Sequence, residues 1–274
     1  MDFPIEKCMV ADQYFSADQI KELLQYPHLL TCALLDLQSL EEEINKLEEE
    51  KAMAYSLSSE ELNLLGKFAS PKRKREWLGG RFAAKYAATR LLEQVKSQKN
   101  IMHWASNTII ADKNGRPFLS ANKENATRPV DISISHSDSL AAAMAVDTGC
   151  CGIDIQKVSP RIIKIVDRFC TQNEMDILLK FFSVEPEKQA VPLTKLWAAK
   201  ETLRKASNMS SLPGFLKLEL IEIIAAPLDK KPDSWGFLFN WKNPDGLTHK
   251  KCTVAVTQIA DYALALTARG DTMG

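Results

Sequence analysis

Short apolar runs recur along the chain and predict β-strands. The earlier runs lie at residues 32–37, 130–135, 140–146 and 151–155. In the second half an antiparallel set is predicted at residues 216–224, 235–241, 252–258 and 262–267. Turn-forming residues are concentrated between strands at Gly115-Arg116-Pro117, at residues 121–128 and at residues 243–246.

Helix starts are predicted by three serine-based caps. They are the pairs Ser39/Glu42 and Ser58/Glu61, and Ser70 before Pro71. The first of these helices is predicted to end near Met53, and the third to reach about Val95. A further helix is predicted after Pro192.

Three pairs of segments repeat in the same order along the chain. Residues 35–38 resemble 153–156, residues 81–85 resemble 196–200, and residues 140–146 resemble 262–268, at offsets of 118, 115 and 122 residues. Repetition of this kind predicts two like-folded halves related by a pseudo-twofold axis, with a cleft between them.

The composition excludes several classes of protein. The 274 residues include 35 Lys plus Arg and 35 Asp plus Glu, so any basic site has to be local. The six cysteines form no C-x-x-C pair, which favours reduced, mostly buried thiols over a zinc or redox site. The first residues show no secretory signal pattern and no long apolar run, so we expect a cytoplasmic protein that is not bound to a membrane.

The most specific motif is Trp197-Ala198-Ala199-Lys200-Glu201, followed by Lys205. On a helix, Trp197, Glu201 and Lys205 stand in one column with Lys200 beside them. A core tryptophan with an exposed Glu201–Lys205 ion pair would have the same pattern, so the motif alone leaves both interpretations open.

A second motif, Gly152-Ile153-Asp154, places a carboxylate inside an apolar strand. A buried carboxylate requires a cation or hydrogen-bond donors, unless Asp154 caps a loop at the strand end. Asp154 and Glu201 converging on one point would form an oxygen site suited to Mg²⁺, with water and phosphate as the remaining ligands. Both motifs lack histidine and cysteine, which argues against zinc.

Taken together, these residues resemble the 4'-phosphopantetheinyl transferase superfamily, and within it the two-lobed Sfp/EntD-like branch. The resemblance rests on G-x-D and W-x-x-K-E, with Asp154 and Glu201 separated by 47 residues. It extends to Ser135-His136-Ser137, to Gly115-Arg116-Pro117, to the basic stretch from Arg73 to Lys85, and to Phe169 with Glu174.

The resemblance implies an α+β fold, a pseudo-dimer of two similar α+β lobes. Each lobe would be a small antiparallel-rich sheet packed on a long helix, with the active site in the cleft between lobes. The lobes are expected at residues 1–148, on the 3'-phosphate and adenine side of coenzyme A, and at residues 149–274, which would bind the metal. The chain is expected to be a monomer.

The implied activity is that of a holo-[acyl-carrier-protein] synthase or related phosphopantetheinyl transferase. It uses Mg²⁺ and coenzyme A to modify a serine of an apo acyl or peptidyl carrier protein, and it releases 3',5'-adenosine bisphosphate. The protein mostly positions groups and neutralises charge in such a transfer.

The resemblance also assigns roles to individual residues. Asp154 and Glu201 would bind the metal, and Glu201 would also accept the serine proton, directly or through water. Arg81 would hold the 3'-phosphate, together with Lys85 and Arg73, and Arg116 and Pro117 would border the adenine. Ser135 and His136 would contact phosphates. Lys200 and Lys205 would act as catalytic cations that neutralise phosphate oxygens.

One difference between the two halves and one departure from the family pattern refine this assignment. Tyr86 stands in the first half where Glu201 stands in the second, so the first half is expected to have lost its metal site, leaving Asp36 structural. Many two-lobed members have a glutamate two residues after the metal aspartate, where this chain has Gln156, a neutral and weaker ligand.

Three other interpretations compete with the transferase. Ser135-His136 lacks a G-x-S-x-G elbow, which argues against a serine hydrolase. Lys72-Arg73-Lys74-Arg75 could bind nucleic acid, but zero net charge and the lack of a known module favour an ordinary solvated helix start and no nucleic-acid partner. A relative that binds coenzyme A or a carrier protein without turnover is the third. The acidic residues 40–53 are interpreted as a solvated face.

Overall fold

The computed structural model describes residues 5–9, 17–47, 49–96, 104–120, 130–185, 188–207, 213–225, 234–242 and 249–270. The predicted turns at residues 121–128 and 243–246 lie outside these ranges. The chain divides into two compact units. Unit 1 comprises the described residues of Met1–Ala11, His28–Cys151 and Arg269–Gly274, and unit 2 those of Asp12–Pro27 and Gly152–Ala268.

The bounds of these units do not coincide with the lobes expected at residues 1–148 and 149–274. The division falls between Cys151 and Gly152, and the helix α1 (Ala17–Leu24) groups with unit 2, where it packs on strands late in the chain. The sequence pattern gave no signal for that grouping, because an amphipathic helix does not show which sheet it covers.

Unit 1 contains a five-stranded antiparallel sheet, counted over the described residues, in the order β1-β5-β4-β3-β2. Its strands are β1 (Leu30–Asp36), β2 (Thr108–Ala111), β3 (Pro117–Ser120), β4 (Asp131–Ser137) and β5 (Leu140–Val146). Its helices are α2 (Leu37–Lys46), α3 (Glu49–Ser56), α4 (Ser59–Leu65) and α5 (Pro71–Lys96). The long helix α5 packs across β5, β1 and β4, where its alanine-rich face allows close contact with the sheet.

Unit 2 repeats this plan, again over the described residues, with a sheet in the order β6-β10-β9-β8-β7. Its strands are β6 (Cys150–Lys157), β7 (Leu218–Ala225), β8 (Ser234–Lys242), β9 (His249–Ile259) and β10 (Tyr262–Arg269). A 3-10 segment, Pro160–Arg168, and the helices α6 (Gln172–Phe182) and α7 (Ala190–Lys205) lie between β6 and β7. The two sheets have the same strand order, so the predicted α+β class and the internal repeat are confirmed.

The cap predictions had different outcomes. The Ser58/Glu61 capping box is present at the start of α4, and α5 begins at Pro71 as predicted. The first cap was wrong: Asp36, not Ser39, is the N-cap of α2, because its side chain accepts from the Ser39 amide. The predicted first helix is also two helices, α2 and α3. Asp36 therefore has the structural role that the repeat predicted for it.

The cysteines of this chain form no disulfide in the part that the structure describes. All six cysteines lie in described residues and are free, and five of them are buried. Burial raises the pKa of Cys8 to about 11 and that of Cys170 to about 12, so these thiols are poor nucleophiles. Among the described residues, no helix has the length and apolar character needed to cross a bilayer.

Candidate active site

Strand β6 brings Asp154 against helix α7 through a glycine. A Cβ built on Gly152 would lie 2.1 Å from the carbonyl oxygen of Thr202, which is far below van der Waals contact. Only glycine therefore lets β6 approach the backbone of α7 this closely. Asp154, two residues later, is 2% exposed and faces the last turn of that helix.

Asp154 is held by two named donors. Lys205 Nζ donates to Asp154 Oδ1 at 2.7 Å and to the carbonyl of Ile153 at 3.0 Å. Gln156 Nε2 donates to Asp154 Oδ2 at 3.1 Å. The carboxylate thus lies inside a strand with a cation beside it, which excludes the alternative of a loop-capping aspartate. Gln156 contacts Asp154 through its nitrogen, so its use as a metal ligand stays a prediction.

Glu201 lies on α7 and pairs with a residue that the sequence reasoning overlooked. Arg204 NH1 donates to Glu201 Oε1 at 2.7 Å, whereas Lys205 pairs with Asp154. The ion pairs of Glu201 and Lys205 therefore differ from the Glu201–Lys205 pair that was considered from the sequence. The i,i+3 spacing of Glu201 and Arg204 was the available signal for their contact.

The two carboxylates are close enough to interact electrostatically. Burial raises the pKa of Glu201, Arg204 counteracts that shift, and the negative charge of Asp154 raises the pKa further. A divalent cation would relieve this repulsion, and two carboxylates are ligands that Mg²⁺ prefers. Over the residues that the structure describes, there is no group of three or more His, Cys, Asp or Glu able to hold a metal. The assignment of Asp154 and Glu201 as metal ligands stays a prediction.

Lys200 also lies on α7, but its side chain points into the core of unit 2. Its side chain is 0% exposed and lies 2.6 Å from Glu174 Oε1. Its Nζ also donates to the carbonyls of Phe169 and Phe215, at 2.6 and 3.2 Å. Burial lowers the pKa of Lys200, and the Glu174 charge counteracts this shift. An ammonium enclosed in this way has a packing role, and the contact with coenzyme phosphates predicted from the motif is not supported by its position.

Lys85 has the same position in unit 1. It is 0% exposed, lies 2.6 Å from Glu61 Oε2, and donates to the carbonyl of Trp104 at 2.9 Å. Glu61 in turn accepts from the amide of Ile109 on β2, as Glu174 accepts from Leu220 on β7. The predicted phosphate contact of Lys85 is therefore not supported either, because its charge is already neutralised inside the core.

The remaining cations and polar residues of unit 1 are more accessible. Arg81 stacks over Trp77, with its guanidinium carbon 4.8 Å from the ring centroid, and its Nε has no hydrogen-bond partner among the described residues. Burial lowers the pKa of Arg81, with Glu61 opposing the shift. Arg73 is exposed in the first turn of α5, where its backbone amide donates to the side-chain oxygen of Ser70. The contact with the 3'-phosphate that was predicted for Arg81 stays a prediction.

Arg116 and Pro117 take part in the structure of the sheet of unit 1. Arg116 pairs with Asp131 through two nitrogens, one of them 3.0 Å from Oδ1, and also donates to the carbonyl of Cys151 at 3.2 Å. Pro117 begins β3 instead of ending a turn. Asp131 was overlooked in the sequence, where it reads only as the polar start of a strand.

Ser135 and His136 lie on β4 with different exposures. Ser135 is 6% exposed, and the His136 side chain is 45% exposed with Nδ1 3.9 Å from Glu76 Oε2. Adjacent strand residues face opposite sides of a sheet, which agrees with this difference. His136 is therefore the more accessible of the two for a ligand.

The family model that matches this chain covers its second half. The profile of the 4'-phosphopantetheinyl transferase superfamily matches residues 150–266, which include Asp154 and Glu201. The chain is 32% identical over 113 residues to a holo-[acyl-carrier-protein] synthase of Geobacillus sp. (strain WCH70), covering 41% of this chain and 89% of that protein. It is 29% identical over 105 residues to the same-named protein of onion yellows phytoplasma (strain OY-M), covering 38% and 83%.

Solved structures with the same name also match. The holo-(acyl-carrier-protein) synthase of Bacillus anthracis str. Ames, in complex with CoA (3',5'-ADP), is 24% identical and is matched with a TM-score of 0.35 over 43% of this chain and 92% of that chain. The enzyme of Neisseria meningitidis is 19% identical, with a TM-score of 0.37 over 43% and 94%. With a relative more than 30% identical matched over most of its length, and the profile on the segment that holds both carboxylates, this chain belongs to the 4'-phosphopantetheinyl transferase superfamily.

Proposed function

We propose that this chain transfers the 4'-phosphopantetheine group of coenzyme A to a serine of an apo acyl or peptidyl carrier protein. One observation carries the proposal. Asp154 on β6 and Glu201 on α7 interact electrostatically inside the segment that matches the superfamily, and each is paired with a cation from the last turn of α7. Two carboxylates with flanking cations suit a diphosphate with its divalent ion.

In the proposed reaction the serine oxygen bonds to the phosphorus beside the pantetheine. The bond between that phosphorus and the bridging oxygen of the diphosphate breaks, and 3',5'-adenosine bisphosphate leaves with the electron pair. The serine proton goes to the carboxylate of Glu201, directly or through a water molecule. Mg²⁺ bound by Asp154 and Glu201 would supply neutralisation of the diphosphate charge.

The division of roles among the cations follows from their burial. Lys205 is proposed to neutralise phosphate oxygens, because its ammonium lies beside Asp154 and its side chain is 29% exposed. Arg81, helped by the exposed Arg73, is proposed to bind the 3'-phosphate; Arg116 and Pro117 to border the adenine; and Ser135 and His136 to contact phosphates. Lys85 and Lys200 are proposed to be structural, each stabilising the interior of its own unit through a buried ion pair.

The duplicated topology also favours the two-lobed Sfp/EntD-like branch over the single-lobed holo-[acyl-carrier-protein] synthases. Both units of this chain have the same strand order, and over the described residues the pair Asp154 and Glu201 lies in the second unit. We propose a monomer on this basis, since the duplication would supply within one chain the second lobe that a pseudo-dimer requires.

The test is the intact mass of several candidate apo carriers after incubation with the protein, coenzyme A and Mg²⁺. A gain of about 340 Da marks transfer of the arm, and it should disappear when EDTA is added. Asp154→Asn and Glu201→Gln should each lower the rate by about 100-fold or more. Asp36→Asn is the matched control, because it changes the corresponding aspartate of unit 1 and asparagine is an equally good N-cap.

Three results would contradict the proposal in distinguishable ways. A full rate for Asp154→Asn or Glu201→Gln would remove these carboxylates from the chemistry. Binding of coenzyme A without any mass gain would favour the non-catalytic relative. A salt-dependent shift of DNA or RNA, with no binding of coenzyme A, would favour the nucleic-acid module.

A further inference from the structure

We infer that Arg204 is a positioning residue that fixes Glu201 for the transfer and weakens the affinity of the site for a divalent ion when no diphosphate is bound. The inference rests on the proposed function and adds a residue outside the W-x-x-K-E motif. It follows from the contacts of Arg204, from the corresponding position in unit 1, and from the charges around the two carboxylates.

Three contacts from different directions hold the Arg204 guanidinium. NH1 donates to Glu201 Oε1 at 2.7 Å, and Nε donates to the carbonyl of Pro213 at 3.0 Å. The guanidinium carbon also lies 4.4 Å from the ring centroid of Phe215. A planar fork stacked on a ring has little rotational freedom, so it fixes the carboxylate oxygen that it binds. Lysine could not make these contacts together.

Phe215 is itself held by the helix that carries Glu201. Trp197 stacks on its ring with centroids 4.6 Å apart, and Lys200 donates to its carbonyl at 3.2 Å. Arg204 therefore connects Glu201 to a platform that the core of unit 2 keeps in place. Movement of Glu201 Oε1 would have to break a charge-assisted hydrogen bond whose donor is anchored at two further points.

Unit 1 provides an internal comparison for this arginine. With the offset that aligns Lys85 with Lys200, Thr89 corresponds to Arg204, and Tyr86 and Arg90 correspond to Glu201 and Lys205. Thr89 is buried, accepts a hydrogen bond from Asn107 at 3.5 Å, and takes no part in the contact between Arg90 Nε and the Tyr86 hydroxyl. The helix packs on its sheet without an arginine here, so Arg204 accompanies the carboxylate and is not required by the fold.

The charges of the site give Arg204 its second effect. Asp154 and Glu201 are paired with Lys205 and Arg204, so these four residues have a formal net charge of zero. A divalent ion alone is then attracted less than two bare carboxylates would attract it. A bound diphosphate adds negative charge, which favours entry of the ion together with the coenzyme.

The experiment compares Arg204→Gln with Arg204→Lys in the full chain. Binding of Mn²⁺ without coenzyme A is measured by electron paramagnetic resonance, and the transfer rate by intact mass. Arg204→Gln removes charge and fork, so Mn²⁺ should bind about threefold to tenfold more tightly while kcat falls about tenfold. Arg204→Lys keeps the charge and loses the fork, so kcat should fall similarly while Mn²⁺ affinity stays within about twofold.

The control variant is Lys180→Gln, which removes one exposed charge from the last turn of α6 and should change neither quantity. An unchanged kcat in Arg204→Lys would overturn the positioning role, and an unchanged Mn²⁺ affinity in Arg204→Gln would overturn the charge effect. Thermal unfolding of both variants more than about 5 °C below the wild type would also overturn the inference, by making Arg204 a folding residue. If wild type modifies no carrier, the proposed function fails, while the Mn²⁺ measurements still decide the charge effect.

Discussion

At the scale of single residues, the ionisation of Glu201 has opposite effects on the proposed function and on the stability of the fold. Burial raises its pKa, Arg204 lowers it, Asp154 raises it and Lys205 lowers it, with a net upward shift. For a group whose pKa is raised on folding, the contribution to stability is complete below the unfolded pKa. That contribution is lost as the pH rises through the folded pKa. At neutral pH, ionised Glu201 therefore destabilises the metal-free chain.

Replacement of Glu201 by glutamine should accordingly stabilise the metal-free protein at neutral pH. The glutamine oxygen can still accept from Arg204, and the charge facing Asp154 is gone. The difference should shrink as the pH falls below about 4, where wild-type Glu201 becomes protonated in both the folded and the unfolded state. Urea unfolding of both proteins in EDTA at several pH values measures it. A variant less stable than wild type at neutral pH would show that the pair with Arg204 outweighs burial.

At the scale of elements, the contact between β6 and α7 decides where Asp154 lies. Gly152 makes that contact possible, since its missing side chain leaves room for the Thr202 carbonyl. The first residue of G-x-D is thus a packing requirement, and the third is the functional group. Asp154 then meets Lys205 because both elements are fixed at that distance.

Gly152→Ala should separate β6 from α7 and move Asp154 away from its partners. We expect a loss of about 1–3 kcal/mol in the free energy of unfolding and a rate at least about tenfold lower. The matched control is Gly214→Ala, where an added Cβ meets nothing within 4 Å and φ is −63°. That variant should be neutral or slightly more stable. Equal effects of the two substitutions would exclude the proposed role of Gly152.

The elements also show how far the sequence could be interpreted. Capping chemistry located α4 and α5, because Ser58, Glu61 and Pro71 act on their immediate neighbours. It did not show that Glu61 also reaches Lys85 and Ile109, since those contacts join residues 24 and 48 positions apart. Motif spacing located Asp154 and Glu201, but whether a nearby lysine faces the site or the core depends on packing. Lys200 and Lys205 differ in that respect.

At the scale of the whole molecule, the duplication separates what the fold needs from what the chemistry needs. Both units have a capping-box glutamate that binds a buried lysine of the long helix and an amide of a strand. Unit 1 keeps this arrangement although Tyr86 stands at the position of Glu201, the residue that we propose as a metal ligand. A feature retained where the carboxylate is missing belongs to the architecture, which explains why the lysine of W-x-x-K-E recurs in both halves.

Lys85→Met and Lys200→Met should therefore be costly for stability in the same way. Each leaves a fully buried glutamate without its cation, and we expect a loss of about 3–5 kcal/mol in the free energy of unfolding. The double variants Lys85→Met with Glu61→Gln and Lys200→Met with Glu174→Gln should recover part of the loss, because the lone buried charge is removed.

Lys205→Met should lower the transfer rate with a smaller change in stability, because Lys205 is partly exposed. Urea unfolding and the carrier mass assay on the same samples distinguish the two effects. A Lys200→Met protein as stable as wild type but inactive would return Lys200 to the catalytic cations.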